Sequence, residues 1–270
     1  MKAKKDKTTK QVVVISGASS GIGLKTATLF LENGYIVYNL SRRVAENKKI
    51  KSITCDITNE QQVQDAVDKI YQEQKRIDIL INNAGFGISG SSENQDIKEI
   101  KSLFDVNFTG AVCLTNKILP IMRNQKHGKI INTGSVAGVF PIPFQSFYSA
   151  TKSAIDIWSK ALSIEVKPFG VQVCTVLVGD TKTDFTGKRQ KNNEIGTAYE
   201  KVVEKSISKM EKDEQNGKDP ITVAKTMLKL ANKYKIPPTK TVGFVYQLLL
   251  FLNKILPTKF MLWVVSKLYS

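Results

Sequence analysis

The sequence has few of the residues that build metal centres and disulfide frameworks. Its 270 residues include one histidine and three cysteines, Cys55, Cys113 and Cys174, which stand far apart. An odd number of separated cysteines forms neither a CxxC pair nor a disulfide framework, so we expect no bound metal and a reducing compartment. A chain of this length buries enough apolar surface to fold without such cross-links.

Acidic residues are scarce compared with basic ones. The chain has 40 Lys and Arg residues against 24 Asp and Glu, a formal net charge of +16. Such an excess attracts nucleotides, nucleic acids or anionic membranes. Because we find neither a recognition helix nor aromatic-spaced basic strands, we expect no nucleic-acid partner. Residues 1–10 carry five lysines and form a basic tail that we expect to be disordered.

Long hydrophobic runs are absent as well. No signal-peptide pattern is found, and the uncharged run at residues 241–253 has thirteen residues. Spanning a bilayer takes about 20 apolar residues. We therefore expect a cytoplasmic protein, whose contact with a membrane, if it has one, is peripheral.

Strand-like and helical patterns alternate from residue 11 to about residue 234. The strands are predicted at 11–16, 35–40, 51–55, 77–81, 129–132 and 171–178, and the helices at 21–33, 60–74, 97–122 and 145–166. Repeated βαβ units give parallel sheets with helices on both faces. The sequence therefore predicts one doubly wound, Rossmann-like α/β domain over residues 11–240, followed by an apolar, basic helical extension over residues 241–270.

A glycine-rich turn joins the first strand to the first helix. Residues 16–23 read Ser-Gly-Ala-Ser-Ser-Gly-Ile-Gly. Gly17 permits the tight turn, Gly21 lets the backbone approach a pyrophosphate, and Gly23 allows close packing of the helix, whose N–H groups face the phosphates. The turn predicts a dinucleotide site with contacts from Gly17, Ser19, Ser20, Gly21, Ile22 and Gly23.

The residues that end the second strand indicate which dinucleotide binds. An NAD site uses Asp or Glu there to hold the ribose 2′-hydroxyl, but this chain reads Ser41-Arg42-Arg43. Two guanidinium groups can grip a 2′-phosphate and no acid repels it. NADP(H) is therefore favoured over NAD(H).

Polar and small residues also follow the third and fourth strands. Asp56, with Ile57 beside it, is placed to accept a hydrogen bond from the adenine amino group. In Asn83-Ala84-Gly85, the glycine lets the backbone approach the nicotinamide ribose. Taken alone, either could be ordinary turn chemistry.

Tyr148 and Lys152 lie four residues apart in the predicted helix 145–166. That spacing puts both side chains on one helix face, about 6 Å apart along the axis. A lysine ammonium beside a phenol stabilises the phenolate and lowers the tyrosine pKa, which makes the tyrosine a usable proton donor near neutral pH. Ser135 follows the fifth strand at the carboxyl edge of the sheet, where ligands bind in doubly wound folds. A surface tyrosine with a lysine neighbour would show the same spacing.

In this combination the sequence resembles the short-chain dehydrogenase/reductase family over residues 11–183. The resemblance implies four catalytic residues, Asn107, Ser135, Tyr148 and Lys152. It implies that Asn107 kinks the long helix and holds a water, that Ser135 orients a carbonyl, and that Tyr148 is the general acid. Lys152 would bind the nicotinamide ribose and lower the pKa of the tyrosine. Ser135 stands thirteen residues before Tyr148, the usual interval in the family.

The chain departs from the family pattern at two places. Val178-Gly179 replaces the family's Pro-Gly pair after the sixth strand, which we expect to loosen the loop that carries Thr181 and Thr183 towards the cofactor. Gly134 replaces the first of two serines, with little expected consequence because the second serine carries the chemistry. The cofactor contacts implied in this half of the chain are Tyr148, Lys152, Gly179, Thr181 and Thr183.

The substrate side is predicted to be apolar. In families of this type the variable segment after the sixth strand, here residues 184–217, sets specificity. The expected pocket walls are Phe86, Val136, Phe140, Pro143, Phe144, Phe147 and Phe185, and the predicted substrate contacts are Ser135, Phe140, Phe144 and Phe185. We expect no arginine or histidine beside the catalytic residues to clamp a small carboxylate. The predicted activity is NADP(H)-dependent interconversion of an apolar carbonyl and an alcohol, steroid-, retinoid- or acyl-like.

Two other functions stay open. A 3-oxoacyl-carrier-protein reductase would have an acidic protein partner suited to a net charge of +16. A binding protein that senses NADP(H) without turnover would not need to keep both Tyr148 and Lys152. The resemblance also implies a homo-oligomer, a dimer or a tetramer, formed through the helices predicted at 97–122 and 145–166.

The extension over residues 241–270 has two interpretations. Its apolar helical segments, 242–256 and 260–268, are separated by Pro257, and six lysines but no acidic residue lie between residues 233 and 270. The helices can pack over the sheet edge and line the substrate pocket or a subunit interface, which is the arrangement we prefer. Alternatively, the lysines meet anionic lipid while Phe251, Phe260, Trp263 and Leu268 enter the acyl boundary. Similar extensions occur in family members that act on lipids and steroids, so the resemblance leaves both open.

Overall fold

Seven parallel strands form the central sheet of the computed structural model, which describes residues 10–269. The described residues contain nine strands, of which two lie outside this sheet. In chain order they are β1 Val12–Ser16, β2 Ile36–Ser41, β3 Lys51–Thr54, β4 Ile79–Asn82, β5 Ile88–Ser89, β6 Gly128–Ser135, β7 Val171–Val178, β8 Gln190–Lys191 and β9 Thr239–Thr241. The sheet order is β3-β2-β1-β4-β6-β7-β9, and β5 pairs separately with β8. Except for Lys10, the predicted basic tail lies outside the described residues.

Helices cover both faces of this sheet. They are α1 Gly21–Glu32, α2 Glu60–Gln74, α3 Ile97–Phe104, α4 Gly110–Asn124, α5 Ser146–Glu165, α6 Glu200–Gln215, α7 Ile221–Asn232, α8 Phe244–Ile255 and α9 Thr258–Tyr269. Because neighbouring strand residues face opposite sides, Val13 packs with Phe30 of α1 and Met227 of α7. Val14 packs on the other face with Leu114 of α4. The predicted doubly wound α/β fold is confirmed.

The elements depart from the prediction at several places. Strand β9, of sequence Thr-Lys-Thr, was not predicted, because three residues carry no readable periodicity. Helix α7 was also not predicted as a separate element. Strand β6 continues three residues beyond the predicted end, to Ser135. The predicted helix 97–122 is interrupted by a π-helical turn at Asp105–Thr109, which leaves α3 and α4 as separate helices.

The strand order decides where a site can form. From β1 the chain runs outward through β2 to β3 and then returns to β4 on the other side of β1. In doubly wound sheets such a reversal leaves a crevice outside the carboxyl ends of the strands. Residues that follow β1, β2, β3, β4, β6 and β7 therefore meet at one edge of the sheet.

Membrane-spanning helices and metal sites are both absent from residues 10–269. No helix within that range is both long enough and apolar enough to cross a bilayer. In the same range, no group of His, Cys, Asp and Glu side chains is arranged to hold a metal ion.

Candidate active site

A cavity of about 510 Å³ opens at the carboxyl edge of the sheet. It brings together most of the predicted site residues: Gly17, Ser19, Ser20, Gly21, Ile22, Ser41, Arg42, Arg43, Asp56, Ile57, Asn83, Ala84, Gly85, Ser135, Tyr148, Lys152, Gly179, Thr181, Thr183 and Phe185. Gly23, Asn107, Phe140 and Phe144 do not line it. Apart from Gly23 and Asn107, the predicted cofactor and catalytic residues therefore share one space, whereas two of the predicted substrate contacts lie outside it.

The glycine-rich turn has a backbone that requires glycine. Gly17 has a φ of +69° and Gly21 a φ of +55°, and a Cβ on Gly17 would lie 2.8 Å from the Ala84 Cα. Gly23 lies beneath the turn rather than in the cavity, since a Cβ there would lie 2.3 Å from the Gly17 carbonyl oxygen. Any side chain at Gly17 or Gly23 would push the turn away from the strands that position it.

Two polar residues that sequence analysis missed hold this turn. Asn39 of β2 accepts a hydrogen bond from the Ala18 N–H at 2.9 Å through its Oδ1 atom. The Ser16 hydroxyl oxygen accepts from the N–H groups of Asn83 at 3.0 Å and Ala84 at 3.1 Å. Both residues are buried, and buried polar side chains need hydrogen-bond partners. A polar residue inside an otherwise apolar strand was therefore the sequence feature that could have identified them.

The start of α1 fits a pyrophosphate. The N-cap residue Ser20 makes no side-chain hydrogen bond to the helix, and the first turn carries no acidic residue. The first N–H groups of a helix have no partner within it, and the helix dipole favours negative charge at that end. The turn and the helix start together form a cradle for the phosphates of a dinucleotide.

The other end of the cavity carries Arg42 and Arg43, both exposed. The carbonyl oxygen of Arg43 accepts hydrogen bonds from Asn39 Nδ2 at 3.3 Å and Ser41 Oγ at 2.5 Å. These contacts fix the backbone that carries the two guanidinium groups. The surroundings fit a ligand with an added phosphate, since Ser41, and no acid, ends the strand.

Asp56 stands beside this arginine pair. Its Oδ1 atom accepts from the Thr58 N–H at 3.0 Å and from the Thr58 hydroxyl at 2.7 Å. The hydrogen bond from the Thr58 backbone, helped by the charge of Arg42, holds the pKa of this carboxyl below its usual range. Asp56 is therefore an ionised acceptor at the wall of the cavity, as an adenine contact requires.

Lys152 and Tyr148 project from α5 towards the end of β6. The Lys152 ammonium donates to the Thr133 carbonyl oxygen at 3.0 Å and lies 5.6 Å from the centroid of the Tyr148 ring. Ser135, the last residue of β6, accepts from the Ala137 N–H at 3.1 Å and hydrogen-bonds Tyr148. The serine, the phenol and the ammonium thus adjoin one another in the cavity wall.

The pKa of Tyr148 is not lowered as the sequence predicts. Burial raises the pKa of Tyr148 to about 12, although the hydrogen bond from Ser135 opposes that shift. Burial also lowers the pKa of Lys152 to about 8. The predicted lowering is wrong because removal from water disfavours the charged form of the phenol, and this effect outweighs the opposing effects of Ser135 and Arg189.

Asn107 lies within the π-helical turn, so the kink implied by the resemblance is present. Its Oδ1 atom accepts from the Phe86 N–H at 3.0 Å, and its Nδ2 atom donates to the Phe86 carbonyl at 2.9 Å and to Thr151 Oγ1 at 3.2 Å. The amide ties the loop after β4 to α5, next to the Tyr148–Lys152 pair. Both N–H groups of the amide are used, so a water at this turn would have to donate to the remaining lone pair of Oδ1 or bind other atoms.

A buried arginine, Arg189, lies behind the substrate end of the cavity without lining it. Arg189 forms an ion pair with Glu214 and lies over the Phe185 ring, 5.9 Å from its centroid. The Phe185 ring in turn lies 5.7 Å from the Tyr148 ring. Sequence analysis did not identify Arg189, because it is 41 residues after Tyr148 and approaches it only through the fold. Only five of the 40 basic residues are arginines, and arginine is the residue preferred for buried ion pairs. An arginine in the segment 184–217 could therefore have been identified from the sequence as a candidate for a buried ion pair.

Glu214 brings a carboxylate into the cavity wall. Its oxygens bind Arg189 and the Thr186 hydroxyl, the latter at 2.6 Å. Its charge contributes to the raised pKa of Tyr148, and Arg189 opposes that contribution. The substrate end therefore combines the apolar side chains of Phe86, Val136, Ile142 and Phe185 with polar ones that include Gln145 and Glu214.

The structure does not bring Phe140 and Phe144 into this cavity. Phe144, at a φ of +60°, packs against Val203, Ile207 and Met210 of α6. Ile142 and Gln145 from the same segment line the cavity instead. Sequence alone could not show which aromatic residues of this loop line the cavity, because the direction of each side chain depends on the backbone turn at Phe144.

The loop after β7 is held by the C-terminal extension. The Tyr246 ring of α8 covers Gly179, where a Cβ would come within 2.1 Å of Tyr246 Cε2. The Tyr246 hydroxyl donates to Asp180 Oδ2 at 2.5 Å and accepts from the Asp180 N–H at 3.1 Å. Thr183 lies against Gly21. These contacts support the loop at Gly179 and Asp180, and the loosening expected from Val178 stays a prediction.

Comparisons with known proteins agree with this geometry. The family model for short chain dehydrogenase matches residues 11–194. A 3-ketodihydrosphingosine reductase of Bacteroides thetaiotaomicron is 41% identical over 248 residues, which cover 90% of this chain and 92% of the reductase. A short-chain dehydrogenase of Streptomyces avermitilis superimposes with a TM-score of 0.83 at 27% identity, covering 92% and 94% of the two chains. The NADP-bound structure of ElxO has a TM-score of 0.74 at 27% identity, covering 88% and 99%.

The buried ammonium of Lys152 has a measurable effect on stability. Because its pKa of about 8 in the folded chain lies below the ordinary value of 10.5, the unfolded chain binds more protons between those pH values. The free energy of unfolding of the wild type should therefore rise with pH across that window. Lys152→Met should raise the free energy of unfolding at pH 7 by up to about 3 kcal/mol, and the gain should shrink towards pH 10.5.

Urea unfolding of the two proteins between pH 7 and pH 10 measures this difference. Lys25→Met is the matched control, since Lys25 is exposed on α1 and the same change there should have little effect. A Lys152→Met protein that is less stable than the wild type at every pH would contradict the argument.

Proposed function

Because the chain belongs to the short-chain dehydrogenase family, it is an oxidoreductase acting on CH–OH groups, and we propose that it uses NADP(H) to interconvert a ketone and an alcohol on a long-chain substrate. The observation that carries the proposal is the convergence of the glycine turn with Ser135, Tyr148 and Lys152 in one cavity. The same cavity has an anion cradle at one end and a mostly apolar wall at the other, as a hydride transfer between a dinucleotide and a lipid-like molecule requires.

Each candidate side chain has a defined task in the proposed reduction. When bound, the nicotinamide ring supplies the hydride for the carbonyl carbon. Ser135 Oγ accepts from the Ala137 N–H, so its single proton remains for donation to the tyrosine or to the substrate oxygen. Tyr148 donates its phenolic proton to that oxygen, which becomes the hydroxyl of the product. Since burial raises its pKa to about 12, the phenol keeps its proton until the carbonyl oxygen gains charge.

Lys152 and Asn107 support that proton transfer. The Lys152 ammonium stabilises the phenolate as it forms and can return a proton to it afterwards. Its bond to the Thr133 carbonyl keeps it at the end of β6. Asn107 is proposed as a positioning residue, because its amide joins the loop at Phe86 to Thr151 of α5.

The proposed preference for NADP(H) rests on Arg42 and Arg43. Both line the cavity at the end of β2, where Ser41 stands in place of an acid. The fixed carbonyl of Arg43 supports the idea that the pair is built into the site rather than loosely solvated. NADP in the similar ElxO structure adds support.

A long-chain amino ketone is the proposed substrate, as in 3-ketodihydrosphingosine. The similarity to a reductase of that name supports the choice. An amino group beside the ketone would be an ammonium near neutral pH, and the Glu214 carboxylate lies in the cavity wall to receive it. The apolar chain would lie along Phe86, Val136 and Ile142. Steroid- and retinoid-like substrates lack the cation, so they are weaker candidates.

A 3-oxoacyl-carrier-protein substrate is the second candidate. The net charge of +16 favours an acidic carrier protein as a partner. A purely sensing role is disfavoured, because the ordered contacts of Tyr148 and Lys152 serve proton transfer and a sensor would not need them.

We also propose a cytoplasmic homo-oligomer, a dimer or a tetramer, formed through α3, α4 and α5. Ile157 and Ile164 of α5 are 63% and 75% exposed. They are seven residues apart and therefore lie on one face of the helix. An apolar stripe of this kind supports helix-to-helix contact between copies.

The catalytic assignment predicts that Tyr148→Phe abolishes turnover and spares cofactor binding. Substrate-dependent loss of NADPH absorbance should fall by roughly 100- to 10,000-fold, the range for loss of a general acid. Binding of NADPH, followed by its fluorescence, should change little. The wild type is tested with 3-ketodihydrosphingosine, a 3-oxoacyl carrier protein and a 3-ketosteroid as separate arms. A variant that keeps most of its activity would refute the role of Tyr148.

The cofactor assignment predicts that the double variant Arg42→Ala, Arg43→Ala loses its preference for NADPH. The KM for NADPH should rise by at least roughly 100-fold, because each of the two charged hydrogen bonds contributes about 1.5–3 kcal/mol. The KM for NADH should stay within about a factor of two. Arg123→Ala, on α4 and outside the cavity, is the control. An equal rise for both cofactors would show that the arginines do not read the 2′-phosphate.

The substrate assignment predicts a selective effect of Glu214→Gln. The kcat/KM for 3-ketodihydrosphingosine should fall by on the order of 10-fold more than that for a long-chain ketone without the amino group. Glu214 also binds Arg189 and Thr186, so the variant can lose stability. Loss of folded enzyme lowers both rates together, and only loss of recognition separates them. Equal losses of kcat/KM for the two ketones would show that Glu214 does not recognise the amino group.

A further inference from the structure

Helix α8 is apolar and yet exposed. Nine of its twelve residues are apolar, and none of the twelve is buried. Phe244, Leu248, Phe251 and Ile255 are 76%, 48%, 59% and 62% exposed. They recur at i, i+4, i+7 and i+11, so they lie along one face of the helix. A stripe of this spacing normally faces a core, but within residues 10–269 nothing covers it.

Helix α9 adds to this exposed surface. Phe260 and Trp263 stack with ring centroids 5.8 Å apart and are 46% and 56% exposed. On the other side of the helix, Met261 and Val265 are buried, and Tyr269 packs with the apolar cluster of α6. The body of the domain therefore holds α9 with Phe260 and Trp263 outward. We call the exposed apolar residues of α8 and α9 the α8–α9 surface.

The charge around the α8–α9 surface has one sign. From Phe244 to Ser270 the chain carries three lysines and no Asp or Glu. Lys254, Lys259 and Lys267 lie within or between the two helices. A second copy of this chain would bring the same lysines into opposition, which disfavours pairing through this surface. An anionic lipid surface is complementary both to the lysines and to the apolar residues among them.

We infer that the α8–α9 surface docks the protein on an anionic lipid bilayer. The two helices lie in the plane of the interface, with Phe251 and Trp263 in the acyl boundary and the lysines at the lipid phosphates. Each helix has twelve residues and is about 18 Å long, against a hydrocarbon core of about 30 Å, so the contact is peripheral. This inference concerns a surface and holds whichever ketone the cavity accepts.

The docked orientation would place lipid next to the active site. Leu262 and Val265 of α9 line a surface groove together with residues of the segment 137–153. Ala137 and Ile142 line both that groove and the catalytic cavity. Tyr246 of α8 also contacts the loop at Asp180. The helices that would meet the membrane are therefore in contact with the walls of the cavity.

Cosedimentation of the full chain with vesicles tests the inference directly. The probes are phosphatidylcholine vesicles with and without phosphatidylglycerol, at low and at high salt. Binding should require the anionic lipid and weaken with salt. The triple variant Lys254→Gln, Lys259→Gln, Lys267→Gln should partition roughly 100-fold less, since each lysine near the surface contributes about a fivefold factor. Phe251→Glu should reduce partition by at least about 10-fold.

Two matched controls separate docking from general basicity. Lys225→Gln, Lys233→Gln, Lys235→Gln removes the same charge outside α8 and α9 and should keep most of the binding. Tyr234→Glu replaces an exposed aromatic residue, 87% exposed, near the amino end of β7 and should also keep it. Equal losses in test and control variants would overturn the inference, as would absence of binding to anionic vesicles. Self-association that Phe251→Glu abolishes, without lipid binding, would assign the surface to a second copy instead.

Discussion

A buried ammonium is the constraint around which the catalytic end of the molecule is arranged. Lys152 is 6% exposed and its bond to the Thr133 carbonyl holds it at the end of β6. The α5 backbone at this residue packs closely on Gly138, where a Cβ would lie 2.7 Å from the Lys152 carbonyl carbon. Holding this charge out of water opposes folding, so the strand ends must already be fixed for the site to form.

Hydrogen bonds from polar side chains fix those strand ends. Asn39 and Ser16 hold the glycine turn, and Asn107 holds the loop at Phe86. Below them, Asn82 of β4 donates to Asn132 of β6 at 2.8 Å. Each bond links a loop or strand to its neighbour rather than to water. Buried polar groups with satisfied partners of this kind hold adjacent elements in one arrangement.

The C-terminal extension contacts the loop after β7 with one face of α8 and exposes apolar residues on another face. Tyr246 of α8 covers Gly179 and binds Asp180 in the loop after β7. The other face of the same helix carries the exposed stripe that includes Phe251. The two interpretations of the extension are therefore compatible. Packing against the loop uses one residue, and most of the apolar surface remains for another partner.

The sequence by itself determined the fold class and the cofactor half of the site. Glycine turns, strand-ending acids and amides, and the Tyr148–Lys152 spacing are local, and local patterns can be read without knowing what they contact. Tertiary structure decided the substrate half and the electrostatics. Arg189 and Glu214, 25 residues apart, meet only in the folded chain, and the turn at Phe144 directed that ring away from the cavity. The pKa values of Tyr148 and Lys152 shifted because burial is a property of the whole fold, which no spacing of residues records.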